Sequence, residues 1–167
     1  MNAPSSAPAA RVTPSAALRI KPSAVAYGSA LIAERAYAAG EIIARFDDAR
    51  VAKQSYLTVQ IGPGKHVELD TLGNLNHSCR PNTVLDTVSR TVTACRAIAA
   101  GEMLTFFYPS TEWHMDRPFV CQCGEPECLR FVSGARFITA DVLARYYVNA
   151  HIVEAIVATL TCGKVAS

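Results

Sequence analysis

The sequence predicts a single, mainly β domain that ends in a helical segment. Two patterns in the chain carry this prediction. Short apolar runs, separated by turns rich in glycine and proline, follow one another from residue 18 to residue 95, as is typical of strands. After residue 138 the apolar residues recur at every third and fourth position, which is the period of a helix. A length of 167 residues fits one domain better than two.

The strands are predicted one by one from these runs. Apolar runs at residues 31–33 and 41–46 flank a turn of sequence A-A-G-E, and a run at 56–61 ends at Gly62-Pro63-Gly64. A further strand is predicted at 66–70, and a hairpin over 83–95 turns around Asp86-Thr87. The A-A-G-E turn at 38–41 occurs again at 99–102, but the similarity is too short to define a repeat.

One helical segment follows, and a break in it is expected near Asn149-Ala150. Thr139 is a candidate N-cap with Asp141 at the second helical position, and Cys162-Gly163 closes the segment. Its apolar stripe is expected to pack against the core, and it consists of Val142, Leu143, Tyr146, Tyr147, Ala150, Val153, Ile156, Val157 and Leu160.

Composition excludes several classes of protein. Half of the residues are hydrophobic and 18% are charged, which is enough apolar surface for a packed core. A net charge of +2 without a run of like charges argues against direct nucleic-acid binding through phosphate neutralisation. Charged or polar residues such as His151 and Glu154 interrupt the apolar runs, so no membrane span is predicted. Residues 1–17, mostly Ala, Pro and Ser, are expected to form a disordered leader of a cytoplasmic protein, and a nuclear location is compatible.

Three of the six cysteines form a C-x-C-x4-C cluster at Cys121, Cys123 and Cys128. Zinc takes four thiolate or imidazole ligands in a tetrahedron, so this cluster lacks one ligand. The spacing leaves four candidates for the fourth position: Cys79, Cys95, Cys162 and His114. Free thiols or a disulfide are the alternative to a metal site.

Four segments together resemble the SET-domain lysine methyltransferases. N-H-S-C-R-P-N at 76–82 resembles the N-H-S-C-x-P-N signature of that family, and G-E-M-L-T-F-F-Y at 101–108 resembles its G-E-E-L-T-F-x-Y strand. G-S-A-L-I-A at 28–33 resembles the opening G-x-G-L-F-A, and the cysteine cluster lies where the post-SET zinc module lies. The resemblance extends over residues 27–132.

This resemblance implies a fold and a set of boundaries. The fold would consist of short curled β-sheets with pseudoknot-like threading, a post-SET zinc module and a C-terminal helix. The SET catalytic domain would cover residues 18–117, the zinc module 118–134 and the helical segment 135–167.

The resemblance also implies two bound groups, S-adenosylmethionine (SAM) and Zn²⁺. It makes Cys79 the fourth zinc ligand beside Cys121, Cys123 and Cys128. It assigns the cofactor to Gly28, Ser29, Ala30, Asn76, His77, Tyr108 and Phe119. In this assignment the amide oxygen of Asn76 accepts from the methionyl ammonium, and the backbone of His77 pairs with the adenine edge.

The implied reaction is methyl transfer from SAM to a lysine side-chain amine of a protein. Tyr108 and Tyr56 are the expected catalytic residues, and Tyr56, Phe106 and Phe107 are expected to line the substrate channel. An apolar channel favours the neutral amine that attacks the methyl group. In the family, Phe rather than Tyr at the position of Phe106 leaves room for a second or third methyl group.

The sequence departs from the family at several positions, and two other functions remain open. Ala30 replaces a glycine, Leu72-Gly73-Asn74-Leu75 replaces the usual R-F, and Phe107 stands at an often acidic position, so the substrate need not be a histone. One alternative is a methyltransferase of a free amino acid or small amine. The other is a non-catalytic, zinc-stabilised binding module. The expected partner is a lysine-containing protein or a small amine, without a nucleic acid or a membrane.

Overall fold

The computed structural model describes residues 18–23 and 28–162 of the chain. The predicted leader at 1–17 therefore lies outside the described residues, as does Gly163 at the predicted end of the helix. In the described part, short sheets come first and the α-helices follow, so the predicted fold class is confirmed.

The first sheet is an antiparallel pair. Strand β1 (Leu18–Ser23) pairs with β2 (Gly28–Ala33), with Leu18 opposite Ala33. Leu31 and Ala33 in β2 have no exposed surface, because alternate residues of the strand point into the core. The pair therefore holds the G-S-A-L-I-A segment against the rest of the domain.

A three-stranded sheet contains the predicted hairpin. Its order is β3 (Ile42–Arg45), β9 (Thr91–Ala94) and β8 (Thr83–Asp86), all antiparallel neighbours. The hairpin turn lies later than the sequence predicts, since β9 begins at Thr91. The carboxylate of Asp86 accepts hydrogen bonds from the Val88 N–H at 2.8 Å and the Ser89 hydroxyl at 2.8 Å, which holds residues 87–90 as the turn.

A second three-stranded sheet follows the order β4 (Val51–Ala52), β6 (Lys65–Glu68) and β5 (Thr58–Gly62). The strand predicted from residue 56 begins instead at Thr58. The Thr58 hydroxyl accepts from the Ser55 N–H at 2.9 Å, and this contact closes a turn that contains Tyr56. Tyr56 consequently projects from a turn rather than from a strand.

Two very short pairs join distant parts of the chain. Strands β7 (Asn76–His77) and β10 (Thr105–Phe106) are parallel, with Asn76 opposite Thr105. Strands β11 (Phe119–Val120) and β12 (Phe131–Val132) are antiparallel and flank the cysteine cluster. The β7–β10 pair brings the N-H-S-C segment beside the L-T-F-F-Y segment.

The two A-A-G-E turns have the same local structure. In each turn a glutamate side chain accepts from a backbone N–H three residues earlier, Ala38 to Glu41 at 2.9 Å and Ala99 to Glu102 at 3.1 Å. Each glutamate also forms an ion pair with the arginine six residues earlier: Glu41 pairs with Arg35, and Glu102 pairs with Arg96. The turns face each other through an antiparallel bridge between Tyr37 and Ile98. The two turns are therefore similar in structure as well as in sequence, although four residues are too few to define a sequence repeat.

The C-terminal segment is broken where the sequence predicts it. Helix α1 (Ala140–Leu143) is a single turn, and α2 (Ala150–Cys162) begins after Asn149. Thr139 lies at the N-cap position of α1, but no side-chain hydrogen bond caps the helix. No helix in the described ranges is long and apolar enough to cross a membrane.

The apolar stripe of this segment packs only in part. Leu143 and Ile152 are buried in a cluster with Phe107. In contrast, Val153, Val157 and Leu160 are exposed by 46%, 54% and 64%, so the expectation that the whole stripe enters the core is wrong. One face of α2 packs against the domain, and these three residues lie away from it.

Candidate active site

A cleft of about 1070 Å³ lies where the motif segments meet. Its wall includes residues from β2, β7, β10 and the segment before β11. Of the predicted site residues it contains Ser29, Tyr56, Asn76, His77, Phe106, Tyr108 and Phe119. The cleft therefore brings together side chains that are up to 90 residues apart in sequence, from Ser29 to Phe119.

Asn76 is held by the backbone of β2. Its amide nitrogen donates to the Ser29 carbonyl at 2.9 Å and contacts the Met103 sulfur at 3.6 Å. Because the nitrogen is used in this way, the amide oxygen is the atom left to accept from a ligand. The Ser29 hydroxyl donates to the Asn74 side chain, which fixes the neighbouring loop.

Gly28 and Ala30 lie on either side of Ser29 but do not line the cleft. Gly28 has a φ of +94°, a conformation that favours glycine. Ala30 is 3% exposed and is part of the buried core, so its methyl group points away from the cleft wall. The structure thus brings only Ser29 of this predicted loop into the cleft.

The Tyr108 side chain is fixed at the base of the cleft. Its hydroxyl donates to the Leu75 carbonyl at 2.8 Å, and its ring lies 4.8 Å from the Phe106 ring. Burial, with a smaller contribution from the Glu112 carboxylate, raises the pKa of Tyr108 above its usual value. The hydroxyl is therefore neutral at physiological pH and can act as a hydrogen-bonding group.

His77 and Phe119 complete the wall beside Tyr108. The Phe119 ring meets the His77 ring edge-on at 5.8 Å and the Tyr108 ring at 6.1 Å. Burial lowers the pKa of His77 to about 4. His77 is therefore neutral under ordinary conditions.

The two neighbouring phenylalanines of the L-T-F-F-Y segment go to different places. Phe106 is buried in the main core and its surface lines the cleft. Phe107 stacks on Tyr146 with ring centroids 3.7 Å apart and does not line the cleft. The structure therefore does not bring Phe107 into the predicted channel, because successive side chains of an extended segment point in opposite directions.

Tyr56 lies at the mouth of the cleft rather than next to Tyr108. Its side chain is 62% exposed, and the Arg117 guanidinium lies 4.6 Å from the centre of its ring. Arg117 also pairs with Asp116 at 3.7 Å. This position fits contact with an entering substrate better than contact with the reacting atoms.

The four cysteines of the expected zinc site form one cluster. The sulfur atoms of Cys79, Cys121, Cys123 and Cys128 lie within 4.8 Å of one another, and those of Cys79 and Cys121 are 4.0 Å apart. Tetrahedral zinc with Zn–S bonds of about 2.3 Å would require sulfur atoms roughly 3.8 Å apart. The donor set and its spacing therefore fit zinc.

Backbone N–H groups point at the sulfur atoms as well. The Leu129 N–H donates to the Cys79 sulfur at 3.4 Å, and the Arg130 N–H donates to the Cys128 sulfur at 3.4 Å. Such donors stabilise thiolates. Burial raises the pKa of Cys79 above its usual value and the pKa of Cys121 to about 12. Burial thus disfavours the thiolate form, and a bound divalent cation would stabilise the thiolates by neutralising their charges.

Two of the other three sequence candidates for the fourth ligand, Cys95 and His114, lie outside the cluster. Cys95 is exposed, and its sulfur donates to the Pro81 carbonyl at 3.3 Å. The His114 ring packs edge-on against Phe137 at 5.5 Å. The side chain of Cys162 lies outside the described residues.

Sequence reasoning missed a buried polar group beside Tyr108. Glu112 lines the cleft, and its carboxylate accepts from the backbone N–H of Gln60 at 2.8 Å. The Gln60 side chain in turn accepts from the Trp113 N–H at 2.9 Å. The other Glu112 oxygen lies 3.6 Å from the His66 ring nitrogen. No local motif marks these residues, since their contacts join β5 to the segment after Tyr108.

Comparison with known proteins gives relatives in sequence and in structure. The methyltransferase flvH of Aspergillus flavus is 45% identical over 103 residues, which are 60% of this chain and 58% of that protein. The H3 lysine-36-specific histone-lysine N-methyltransferase of Aspergillus fumigatus is 37% identical over 86 residues, 46% of this chain and 9% of that protein. The chain thus spans little more than half of the first relative and a small part of the second. No protein-family model matches the chain.

Two solved structures of KRYPTONITE share the fold. The complex with mCHG DNA and SAH has a TM-score of 0.57 and 19% identity, over 68% of this chain and 28% of that chain. The complex with mCHH DNA, an H3(1-15) peptide and SAH has a TM-score of 0.56, over 68% of this chain and 29% of that chain. At this identity the likeness concerns the fold alone.

Proposed function

We propose that the chain belongs to the SET-domain family of lysine methyltransferases and that it transfers a methyl group from SAM to a lysine side-chain amine of a protein. The observation that carries the proposal is the cleft in which Asn76, His77, Tyr108 and Phe119 meet. A protein that had lost catalysis would not need to keep an oriented tyrosine hydroxyl beside a cofactor-sized space.

The residues present fit a bound SAM. SAM supplies an electrophilic methyl group on a positively charged sulfur. The Asn76 amide oxygen is free to accept from an ammonium group, and Phe119 offers an aromatic surface at the same wall. SAH, the demethylated product of SAM, is bound in the KRYPTONITE structures.

The chain itself would orient and activate the amine. Tyr108 is held by the Leu75 carbonyl, so its oxygen has a fixed position from which to contact the amine and the methyl group. Phe106 provides an apolar wall at the same place. Such a wall disfavours the ammonium form of lysine and so raises the fraction of neutral amine.

The cysteine cluster would hold zinc as a structural element. Its closed set of four thiolates leaves no open position on the metal for chemistry. Cys79 lies two residues after strand β7, which carries Asn76 and His77, so zinc would help to fix the cleft wall through that strand.

The test is SAM binding followed by methyl transfer. Purified, zinc-loaded protein is titrated with SAM in a calorimeter and then incubated with labelled SAM and a panel of lysine peptides, an H3 peptide or free lysine. We expect SAM binding and labelled peptide. Labelling of free lysine alone would favour a small-amine methyltransferase, and absence of SAM binding would favour a binding module.

The H3 peptide and DNA of the KRYPTONITE complexes belong to that protein. A net charge of +2 offers little for binding to phosphates. The absence of direct nucleic-acid binding stays a prediction, which an electrophoretic shift assay with duplex DNA checks. The cytoplasmic location likewise stays a prediction.

A further inference from the structure

The imidazole of His77 contacts both the cysteine cluster and the backbone of Tyr108. Its Nε2 lies 3.3 Å from the sulfur of Cys79 in the cysteine cluster. Its Nδ1 lies 3.3 Å from the backbone nitrogen of Tyr108. The family resemblance assigns a role to the backbone of His77 and none to this side chain.

The direction of the two hydrogen bonds follows from their partners. A backbone N–H can only donate, so the Tyr108 N–H donates to Nδ1, and Nδ1 carries no proton. The ring proton is therefore on Nε2, from which it points at the Cys79 sulfur. His77 thus accepts from the reactive-tyrosine segment and donates to the metal-binding segment.

The surroundings hold the ring in this orientation. The His77 ring lies 5.7 Å from Phe107, 5.4 Å from Tyr108 and 5.8 Å from Phe119, measured between ring centroids. These three rings surround the imidazole and restrict its rotation. The backbone of His77 is also fixed, because it pairs with Phe106 in the β7–β10 ladder.

From this geometry we infer that the His77 side chain is a positioning residue that couples the cysteine cluster to Tyr108. A hydrogen bond from outside the ligand set orients a metal-bound thiolate and tunes its electron density. The same ring accepts from the Tyr108 N–H and so helps to hold the backbone that carries the Tyr108 side chain. Occupation of the cluster therefore acts on the reactive tyrosine through one side chain.

Two substitutions separate the two contacts. Asparagine places an amide oxygen near the position of Nδ1, so His77→Asn keeps an acceptor for the Tyr108 N–H and loses the donor to Cys79. Glutamine places an amide nitrogen near the position of Nε2, so His77→Gln keeps the donor and loses the acceptor. His77→Ala removes both contacts, and exposed His114→Asn is the matched control for a histidine substitution elsewhere.

The first measurement concerns the cluster and does not depend on the proposed function. The full chain is loaded with Co²⁺, and the sulfur-to-cobalt charge-transfer band is recorded. We expect the band to shift in His77→Asn and His77→Ala and to stay at the wild-type position in His77→Gln and His114→Asn. An unshifted band in His77→Asn would overturn the contact to Cys79.

The second measurement concerns Tyr108. In ¹⁵N-labelled protein we expect exchange of zinc for Cd²⁺ to move the amide resonance of Tyr108 in the wild type and to move it clearly less in His77→Asn and His77→Gln, because each variant lacks one of the two contacts. A wild-type response of this resonance to the exchange in either variant would overturn the coupling. Metal content and circular dichroism of the same samples identify any variant that does not fold, and the Asn and Gln pair carries the test without His77→Ala.

The third measurement rests on the proposed methyl transfer. We expect kcat to fall by about 10- to 100-fold in both His77→Gln and His77→Asn with a nearly unchanged KM for SAM, because each variant breaks one of the two contacts. Wild-type kcat in either variant would contradict the inference. If the wild-type protein transfers no methyl group, the proposed function fails while the cobalt band and the Tyr108 resonance still decide the role of His77.

Discussion

At the scale of single residues, neighbouring side chains of the L-T-F-F-Y segment have separate roles. Phe106 faces the main core and the cleft, whereas Phe107 stacks on Tyr146. Tyr108, the next residue, faces the cleft again and contacts the Phe106 ring at 4.8 Å. The alternation means that substitutions at 106 and 107 should affect different properties.

Phe106→Tyr should lower the number of methyl groups transferred. The added hydroxyl, with the water it binds, occupies space beside Tyr108 that a second or third methyl group needs. We expect a shift from di- and trimethylated toward monomethylated product in mass spectra taken under excess SAM. Phe107→Tyr is the control and should leave the product distribution unchanged, because Phe107 does not line the cleft.

Tyr108→Phe should reduce methyl transfer strongly with little loss of fold. Removal of one positioned hydroxyl from an active site typically costs about 10²- to 10³-fold in kcat. The lost hydrogen bond to the Leu75 carbonyl should cost about 1 kcal/mol of stability. Steady-state kinetics and thermal unfolding of the same preparation check both expectations, and a variant that keeps wild-type kcat would contradict the role of Tyr108.

The sequence predicts some of these residues well and others poorly, for physical reasons. Asn76 and Cys79 belong to one contiguous motif, so their neighbourhood is fixed by local chain geometry. The position of Tyr56 depends on a turn closed by Thr58, and that of Glu112 depends on Gln60 in another strand. Contacts of the second kind leave no periodic or spacing signal in the chain.

At the scale of elements, Asn149 holds the C-terminal helix to the β domain. Its side chain is fully buried and accepts from the Thr87 N–H at 2.8 Å. Its amide nitrogen donates to the carbonyl groups of Leu85 at 2.9 Å and Ser110 at 3.0 Å. This single residue before α2 therefore forms hydrogen bonds with backbone groups of the β8–β9 hairpin and of the segment after Tyr108.

Asn149→Ala should destabilise the protein by about 2 to 4 kcal/mol, because it leaves buried backbone groups without partners. Thr159→Ala is the control from the exposed face of α2 and should change stability by no more than about 0.5 kcal/mol. Chemical denaturation of both variants measures the difference. A small effect at Asn149 would mean that α2 is not held by this contact.

The two A-A-G-E turns offer an internal comparison of charge. Both glutamates pair with an arginine and accept from a backbone N–H, and Glu102 also accepts from the Asn82 side chain at 3.0 Å. The Arg96 guanidinium, helped by Asn82 and the Ala99 N–H, lowers the pKa of Glu102 to about 2 from an ordinary value of 4.5.

Glu102→Gln should therefore flatten the acid dependence of stability. Because the folded-state pKa of Glu102 is depressed, its ionised form stabilises the fold above about pH 4.5, and this contribution is lost as the pH falls toward 2. With solvent screening at this partly exposed site, the contribution should be about 1 kcal/mol. Denaturation curves at several acid pH values compare Glu102→Gln with Glu41→Gln, which should change the pH profile less.

At the scale of the whole molecule, the cysteine cluster connects the strand pair of the cleft to the C-terminal part. Cys79 lies two residues after the end of β7, while Cys121 and Cys128 lie between β11 and β12. The Tyr146 hydroxyl donates to the Cys79 carbonyl at 2.8 Å, and Arg145 pairs with Glu127 at 2.9 Å. The segment between the two helices thus contacts both chain segments that carry the cluster.

Removal of zinc should destabilise the fold and weaken SAM binding together, since metal binding and folding are coupled in such sites. We expect one zinc per chain by mass spectrometry, and a chelator should lower the melting temperature by about 10 °C or more. Cys128→Ser should lower the zinc content, whereas Cys95→Ser should not, because Cys95 lies outside the cluster. Full zinc content in Cys128→Ser would contradict the ligand assignment.

The mainly β fold class and the approximate places of β2, β3, β5, β6 and the β8–β9 hairpin could be predicted because hydrophobic alternation and turn residues are local signals. Strands β5 and β9 begin a few residues later than the sequence predicts. The side chains of Thr58 and Asp86 stabilise the preceding turns, and residue propensities alone do not locate these turns. The exposed face of α2 could not be predicted, since a helical stripe shows the period and not which side the domain covers. The pairing of β7 with β10 could not be predicted either, because each strand has only two residues and so shows no periodic pattern in the sequence.

That short parallel pair has a consequence for the time course of synthesis. Asn76 and His77 leave the ribosome before Thr105 and Phe106, which must pair with them, and Cys79 leaves before Cys128, which must share its ligand cluster. No fragment of the nascent chain that stops short of Cys128 can contain the finished cleft wall. The nascent chain should therefore become able to bind SAM in one late step. Pulse-labelled nascent chains that are arrested after Cys128 has left the ribosome should be retained on a SAH resin, and chains that are arrested before this point should not.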